Sequence, residues 1–218
     1  MEENRERNAN DEVISERREL SQDDYVGVGG FVLEIIKIIF LAFLIIVPIR
    51  VFLFQPFFVQ GASMEPNFEN GQYLIVNEFG FKKTTIGFGD IKFFSVGAFR
   101  AIPRQKVVVF RYPKDPSKFF IKRIIGLPGE RIEVKDGGYR IFNAEHPDGF
   151  SPDESAYLPK GVKTAGDISM TLKNNEYFVM GDNRPFSSDS RVWGVVSDDN
   201  IIGEVLLRAW PLNQISVF

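Results

Sequence analysis

Three short stretches hold residues that could do chemistry together. They are Ser63 in GASMEP, Lys122 in FFIKRIIGLPGE, and the charged set Asp182, Arg184, Asp189 and Arg191 in GDNRPFSSDSR. A serine hydroxyl attacks a carbonyl well only when a base takes its proton. The composition restricts that base, because the chain has no cysteine and a single histidine, His146, in the turn-like stretch NAEHPDGFSP. A cysteine nucleophile is excluded, and a Ser-His-Asp triad would have to use that one loop residue. Zinc sites built from cysteines or several histidines are excluded as well. Lysine is the economical remaining base, and together these residues suggest a serine hydrolase.

The alternation along FFIKRII gives that lysine an unusual setting. In a strand, Lys122 shares a face with Phe120 and Ile124, while Arg123 points the other way. Desolvation among apolar side chains disfavours the ammonium form, and a lysine must be neutral to accept a hydroxyl proton. The alternative is a lysine whose stem runs along the sheet to reach solvent. Ser63 lies between the small residues Gly61 and Ala62 and the sequence Met64-Glu65-Pro66, which predicts a tight turn. A nucleophile there is exposed, and its own N–H can face the carbonyl oxygen under attack; the plainer reading is a turn serine. In GDNRPFSSDSR, Gly181 is expected to take an unusual backbone angle, and the four charged residues to form ion pairs that fix a loop. Ser187 or Ser188 could hydrogen-bond the lysine amine.

These residues need a frame. Beyond residue 55 the apolar runs are short, rich in Val, Ile, Phe and Tyr, and separated by Gly, Pro, Asn and Asp, which predicts strands. YLIVN, KVVVFRY, KFFIKRIIG, RIEVKDGGYRIF, EYFVMGD and NIIGEVLLRAW are the clearest, and DGG marks a hairpin. Residues 55–218 read as one β domain, with a small inserted excursion at about 136–175. Ahead of it, residues 31–54 (FVLEIIKIIFLAFLIIVPIRVFLF) are apolar apart from Glu34, Lys37 and Arg50, with Glu34 and Lys37 spaced to pair on one helical face. Roughly 20 residues span hydrocarbon as a helix, so this stretch predicts a transmembrane anchor, an interfacial helix being the alternative. Residues 1–30 form a polar tail. Arg17 and Arg18 precede the anchor and no basic residue follows Arg50 until Lys82, which predicts a cytoplasmic tail and an extracytoplasmic domain. The late start of the apolar stretch, without a short basic leader or a small-x-small site, argues against a cleavable secretory signal. A net charge of -3 gives no footprint for nucleic acid. The 22 phenylalanines cluster partly at 52–58 and 79–99, where core packing or contact with a bilayer would hide them.

QGASMEPN, FFIKRIIGLPGE and GDNRPFSSDSRVWG, in that order after an anchor ending IRVFLFQPF, resemble the three most diagnostic boxes of type I signal peptidases. The resemblance covers roughly residues 31–130 and 176–212. It implies a mostly β, antiparallel catalytic domain behind an N-terminal transmembrane helix. It also implies a membrane-bound serine endopeptidase that removes signal peptides from exported preproteins on the outer side of the cell membrane. By motif position, Ser63 would be the nucleophile, Lys122 the general base, and Ser187 the residue that positions the amine. Asp182 and Arg191 would organise the site, with Asp189 paired to Arg191. Phe57, Val59, Met64, Phe120 and Ile121 would line shallow pockets for the small residues before the cut. No cofactor or metal is implied; the partners are signal peptides and the lipid bilayer, not nucleic acid.

The chain departs from the family pattern in places. Gly61 stands where some members carry an oxyanion-donating serine, Asn67 where threonine is usual, and RQKVVVF replaces a common Arg-Gly-Asp start. The stretch from Phe79 to Pro103 is longer and more Phe-rich than usual, as a membrane-facing loop would be. The other readings are a specialised Ser-Lys peptidase maturing one secretion or conjugation substrate, and a non-catalytic β scaffold, which would be expected to have lost Ser63 or Lys122.

Overall fold

From Val28 to Phe52 the chain forms one α-helix, α1. The window Gly29–Val47 has a mean hydropathy of 2.7, and none of it is buried. At 1.5 Å per residue those residues rise about 28 Å, close to the thickness of a bilayer's hydrocarbon core. A helix that is apolar on every side, rather than along one stripe, is what a lipid environment selects. Glu34 and Lys37 stay exposed, and among the described residues no ion pair joins them, as suits a contact worth only a few tenths of a kcal/mol on a helix surface. The computed structural model describes residues 28–52, 54–81, 84–88, 91–96 and 100–218. Most of the polar tail expected over residues 1–30 lies outside them, as do parts of the Phe79–Pro103 stretch. The described residues fall into two compact units, divided between Ile49 and Arg50.

The second unit is built from strands. In chain order they are β1 (Phe54–Phe58), β2 (Tyr73–Asn77), β3 (Thr84–Phe88), β4 (Ile91–Val96), β5 (Val107–Tyr112), β6 (Asp115–Gly126) and β7 (Arg131–Lys135). There follow β8 (Gly138–Phe142), β9 (Ile168–Thr171), β10 (Glu176–Met180), β11 (Val196–Ser197), β12 (Ile201–Trp210) and β13 (Ser216–Val217). The main sheet runs β1-β2-β12-β5-β6-β10-β11, with β13 also on β12. Its pairs are antiparallel, so the mostly β, antiparallel fold expected from the short alternating runs is the one observed. Hydropathy predicts an anchor over 31–54; the helix instead ends at Phe52 and Phe54 already begins β1, because aromatic residues serve a strand as well as a membrane helix.

Strand β5 explains where the core sits. Val107, Val108, Val109 and Phe110 are all buried, so this run is covered on both faces. Val108 and Phe110 pack with Ile124, Val179 and Trp193 on one side. Val107 and Val109 pack with Val59, Met64, Phe68, Leu74 and Val205 on the other. Pairing of Val108 with Lys122 fixes the register of β6 against this core strand.

A separate three-stranded sheet, β8-β7-β9, forms the excursion. Its hairpin turns at Asp136 and Gly137, with φ of 54° and 81°, the pair of positive angles that a type I′ turn demands and Asp-Gly supplies. The sheet begins at Arg131 rather than near 136, since the upstream arm of that hairpin belongs to it. Ile132, Val134, Ile141 and Leu172 join Ile125, Phe178 and Met180 in a third cluster, which ties the small sheet to β6 and β10. Within the Phe-rich stretch, β3 and β4 pair antiparallel as a two-stranded sheet of their own.

Candidate active site

Lys122 lies on β6 with its Nζ 2.6 Å from Ser63 Oγ and 2.8 Å from the Ile121 carbonyl, to which it donates. The lysine is buried and Ser63 is half-buried. The expected alternation holds: the Phe120 ring centre is 5.6 Å from Nζ, and Ile124 is buried on the same side of the strand. Burial brings the lysine pKa down from 10.5 to about 8, against the pull of the Asp189 and Asp182 carboxylates. An amine with such a pKa is partly neutral near physiological pH.

Ser63 stands in a turn closed by a bond from the Glu65 N–H to the Ala62 carbonyl at 3.2 Å, and extended by one from Phe68 N–H to Met64 O at 2.9 Å. Gly61 precedes it at φ 90°, its N–H donating to Asn70 Oδ1 at 3.0 Å. The loop after β10 grips this turn from below. Asn183 donates its backbone N–H to the Ser63 carbonyl at 3.1 Å and its side-chain amide to the Ala62 carbonyl at 2.9 Å. Gly181 is needed here for closeness. Its φ is not positive, which corrects the expectation of an unusual backbone angle. A Cβ at this position would lie 2.4 Å from Ser63 O and 2.2 Å from Ser187 Oγ.

The charged residues of the same loop divide between inside and outside partners. Asp189, fully buried, pairs with Arg191 through two 2.8 Å contacts, caps the short helix α2 (Ser190–Trp193), and accepts the Gly181 N–H at 3.0 Å. Burial would push the Asp189 carboxyl up, but Arg191 and the Gly181 N–H together hold it below the usual range. Asp182 instead reaches β6, where Arg123 meets it at 2.8 Å and 2.5 Å, and Asn67 donates to it at 2.8 Å. Arg184 turns to Glu154. Sequence reading singled out neither Arg123 nor Glu154 as a partner. For Arg123 a signal existed, since it sits beside Lys122 on the opposite face; for Glu154, in an irregular segment, there was none. Ser187 Oγ is buried and makes no hydrogen bond with the lysine amine.

A cleft of about 710 Å³ opens beside the pair, walled by Phe57, Val59, Leu74, Val109, Phe120 and Ile121, with Phe119, Phe186 and Ser188 among the other lining residues. Phe57 and Phe119, from β1 and β6, meet across it with ring centres 5.4 Å apart. Of the expected pocket residues, Met64 is the exception: it is 1% exposed and packs in the core instead. Among the described residues, both flanking strands keep a free edge. β1 pairs only with β2, and β10 covers β6 only from Arg123 to Gly126. Among the described residues, no group of three His, Cys, Asp or Glu side chains converges as a metal site would require.

An antiparallel sheet that holds a serine against a buried amine, beside an apolar cleft, is a framework suited to a serine peptidase. The family model described as signal peptidase, peptidase S26, matches residues 32–210; the chain belongs to this family and is a serine peptidase. Signal peptidase IB of Staphylococcus aureus is 30% identical over 194 residues, covering 84% of this chain and 92% of that protein. Signal peptidase I of Pseudomonas fluorescens is 29% identical over 244 residues, covering 94% and 84%. A crystal structure of a signal peptidase I from Enterococcus faecalis is 29% identical and covers 48% of this chain and 97% of its own, with a TM-score of 0.39. The single described helix long and apolar enough to cross a bilayer fits a membrane-anchored enzyme.

Proposed function

We propose that this chain removes N-terminal signal peptides from exported preproteins, using Ser63 as nucleophile and Lys122 as general base. The observation that carries this reading is the 2.6 Å contact between Ser63 Oγ and an amine whose burial lowers its pKa to about 8. Neutral Nζ takes the hydroxyl proton as Oγ attacks the scissile carbonyl. The resulting ammonium returns that proton to the departing amine. A water then gives a proton to Lys122 Nζ and attacks the ester carbonyl; as the C–Oγ bond breaks, the ammonium returns that proton to Ser63 Oγ, releasing the signal peptide and restoring the free hydroxyl. The Ser63 N–H is the available donor for the oxyanion, since Gly61 supplies no hydroxyl.

The substrate enters as an extended strand between the free edges of β1 and β6, main chain to main chain. Phe57, Val59, Phe120 and Ile121 leave apolar room suited to the small residues of an A-x-A segment. Ser187 is assigned to orient the amine by its place in the motif, while Asp182 with Arg123 and Asp189 with Arg191 hold the loop beneath. The distribution of Arg17, Arg18 and Lys82 supports a cytoplasmic tail, a single-pass anchor within α1, and the strand domain from β1 onward on the outer side of the cell membrane.

The test is cleavage of a preprotein carrying an A-x-A site by detergent-solubilised full-length protein, beside the Ser63→Ala and Lys122→Ala variants. Cleavage at that site by the wild type alone is expected. Full activity in either variant removes that residue from the mechanism, and no cleavage by folded wild type with lipid present shifts the function to one specialised substrate.

A further inference from the structure

The guanidinium of Arg184 is 1% exposed, and a charge buried so deeply needs a partner. The two acids of its own loop are paired elsewhere, Asp182 with Arg123 and Asp189 with Arg191. The partner is Glu154, from the irregular segment between β8 and β9, whose two carboxylate oxygens both meet Arg184. Glu154 Oε1 also accepts the hydroxyls of Tyr139 and Tyr157, each at 2.7 Å. The other Arg184 donors reach Thr164 Oγ1 at 2.5 Å and the Gly181 carbonyl at 3.1 Å.

That last bond leads to the site. Gly181 is held at its carbonyl by Arg184 and at its N–H by Asp189, and it lies flush against the Ser63 carbonyl and Ser187. The next residues supply the Asn183 contacts that pin the Ser63 turn. A carboxylate that does not line the cleft is thus linked by direct hydrogen bonds to the backbone under the nucleophile. We propose that Glu154 is a positioning residue for the Ser63–Lys122 pair, acting through Arg184 and Gly181. The inserted segment is then part of the catalytic apparatus, not a surface ornament. This rests on the dyad reading, but the link from Glu154 to Gly181 can be tested without it.

The full-length chain is compared with Glu154→Gln, Arg184→Met and the double variant, all in detergent at a temperature where each is folded. Amide hydrogen exchange over residues 181–184 reports the link itself. Faster exchange in Glu154→Gln is expected, and unchanged exchange overturns the inference whether or not the enzyme cleaves preproteins. Cleavage kinetics report the consequence: kcat is expected to fall tenfold or more, as small misplacements of reacting groups do, with KM within about twofold because the cleft walls are untouched. The pH midpoint of kcat should also move, since Asp182 and Asp189, which bias the lysine, sit on the loosened loop; a merely structural role would leave it in place. The double variant should be no slower than Arg184→Met alone. Losses that multiply would mean that Glu154 does not act through Arg184 and would overturn the route. Should Glu154→Gln fail to fold, Glu154→Asp takes its place, with intermediate exchange and kcat expected and wild-type values in both overturning the inference.

Discussion

Ser63 Oγ and Lys122 Nζ are 2.6 Å apart although 59 residues separate them in the chain. The contact joins a turn to the centre of a long strand, and the strand supplies the apolar surroundings that keep the amine partly neutral. The pH dependence follows from this. With a pKa of about 8, the neutral fraction rises about tenfold between pH 7 and pH 9 and then levels off. Cleavage rate should follow it. A rate still climbing steeply above pH 9, as an ordinary lysine would dictate, would show that Lys122 is not the depressed base.

Holding that amine in the sheet costs stability. A pKa brought from 10.5 to about 8 corresponds to about 3 kcal/mol against the charged form. The folded state favours the neutral amine, so the cost is present in full below pH 8 and fades as pH rises to 10.5. Lys122→Met should therefore abolish cleavage yet stabilise the fold by up to about 3 kcal/mol at neutral pH. Denaturant unfolding at pH 7 and at pH 10 measures both ends, and a gain equal at the two would contradict the burial account.

Asp182 is buried against Arg123, and removing one member of such a pair leaves a stranded charge. Asp182→Asn should destabilise by about 3 kcal/mol or more. The Asp182 carboxylate raises the lysine pKa, so the pH midpoint of the folded variant should also shift downward. A pH series on folded protein separates this from simple loss of enzyme.

Gly181 and Gly61 flank the nucleophile for different reasons. Gly181→Ala puts a methyl 2.4 Å from the Ser63 carbonyl, and backbone cannot yield as a flexible side chain does. A loss of roughly 100-fold in rate is expected. Gly61→Ala meets nothing within 4 Å but must hold φ 90°, a backbone strain of about 1–2 kcal/mol. Thermal unfolding should register Gly61→Ala, whereas kcat should register Gly181→Ala far more strongly. The reverse ranking would mean that the loop can recede from Ser63.

The strands were largely legible because alternation and turn residues are local signals. YLIVN, KVVVFRY and the DGG hairpin each carry their own period or turn chemistry, and each forms where it was read. The short β9, β11 and β13 were not, since two to four residues are too few to show a period and exist as strands only through their neighbours. Met64 shows a similar limit at the site: motif position placed it in a pocket wall, and packing placed it in the core under Phe68 and Leu74.

By itself the sequence determined which groups are present and which way some of them face. It has no cysteine, one loop histidine, a serine in a turn, and a lysine that strand geometry sets among Phe120 and Ile124. Only the tertiary structure decided who meets whom. Asp182 and Arg184, two residues apart in one loop, find Arg123 on β6 and Glu154 in the inserted segment rather than each other. Periodicity reports the face of an element, because it arises from the repeat of one backbone. Partners depend on how separate elements close on a shared core, and that closure is settled by packing across the whole chain.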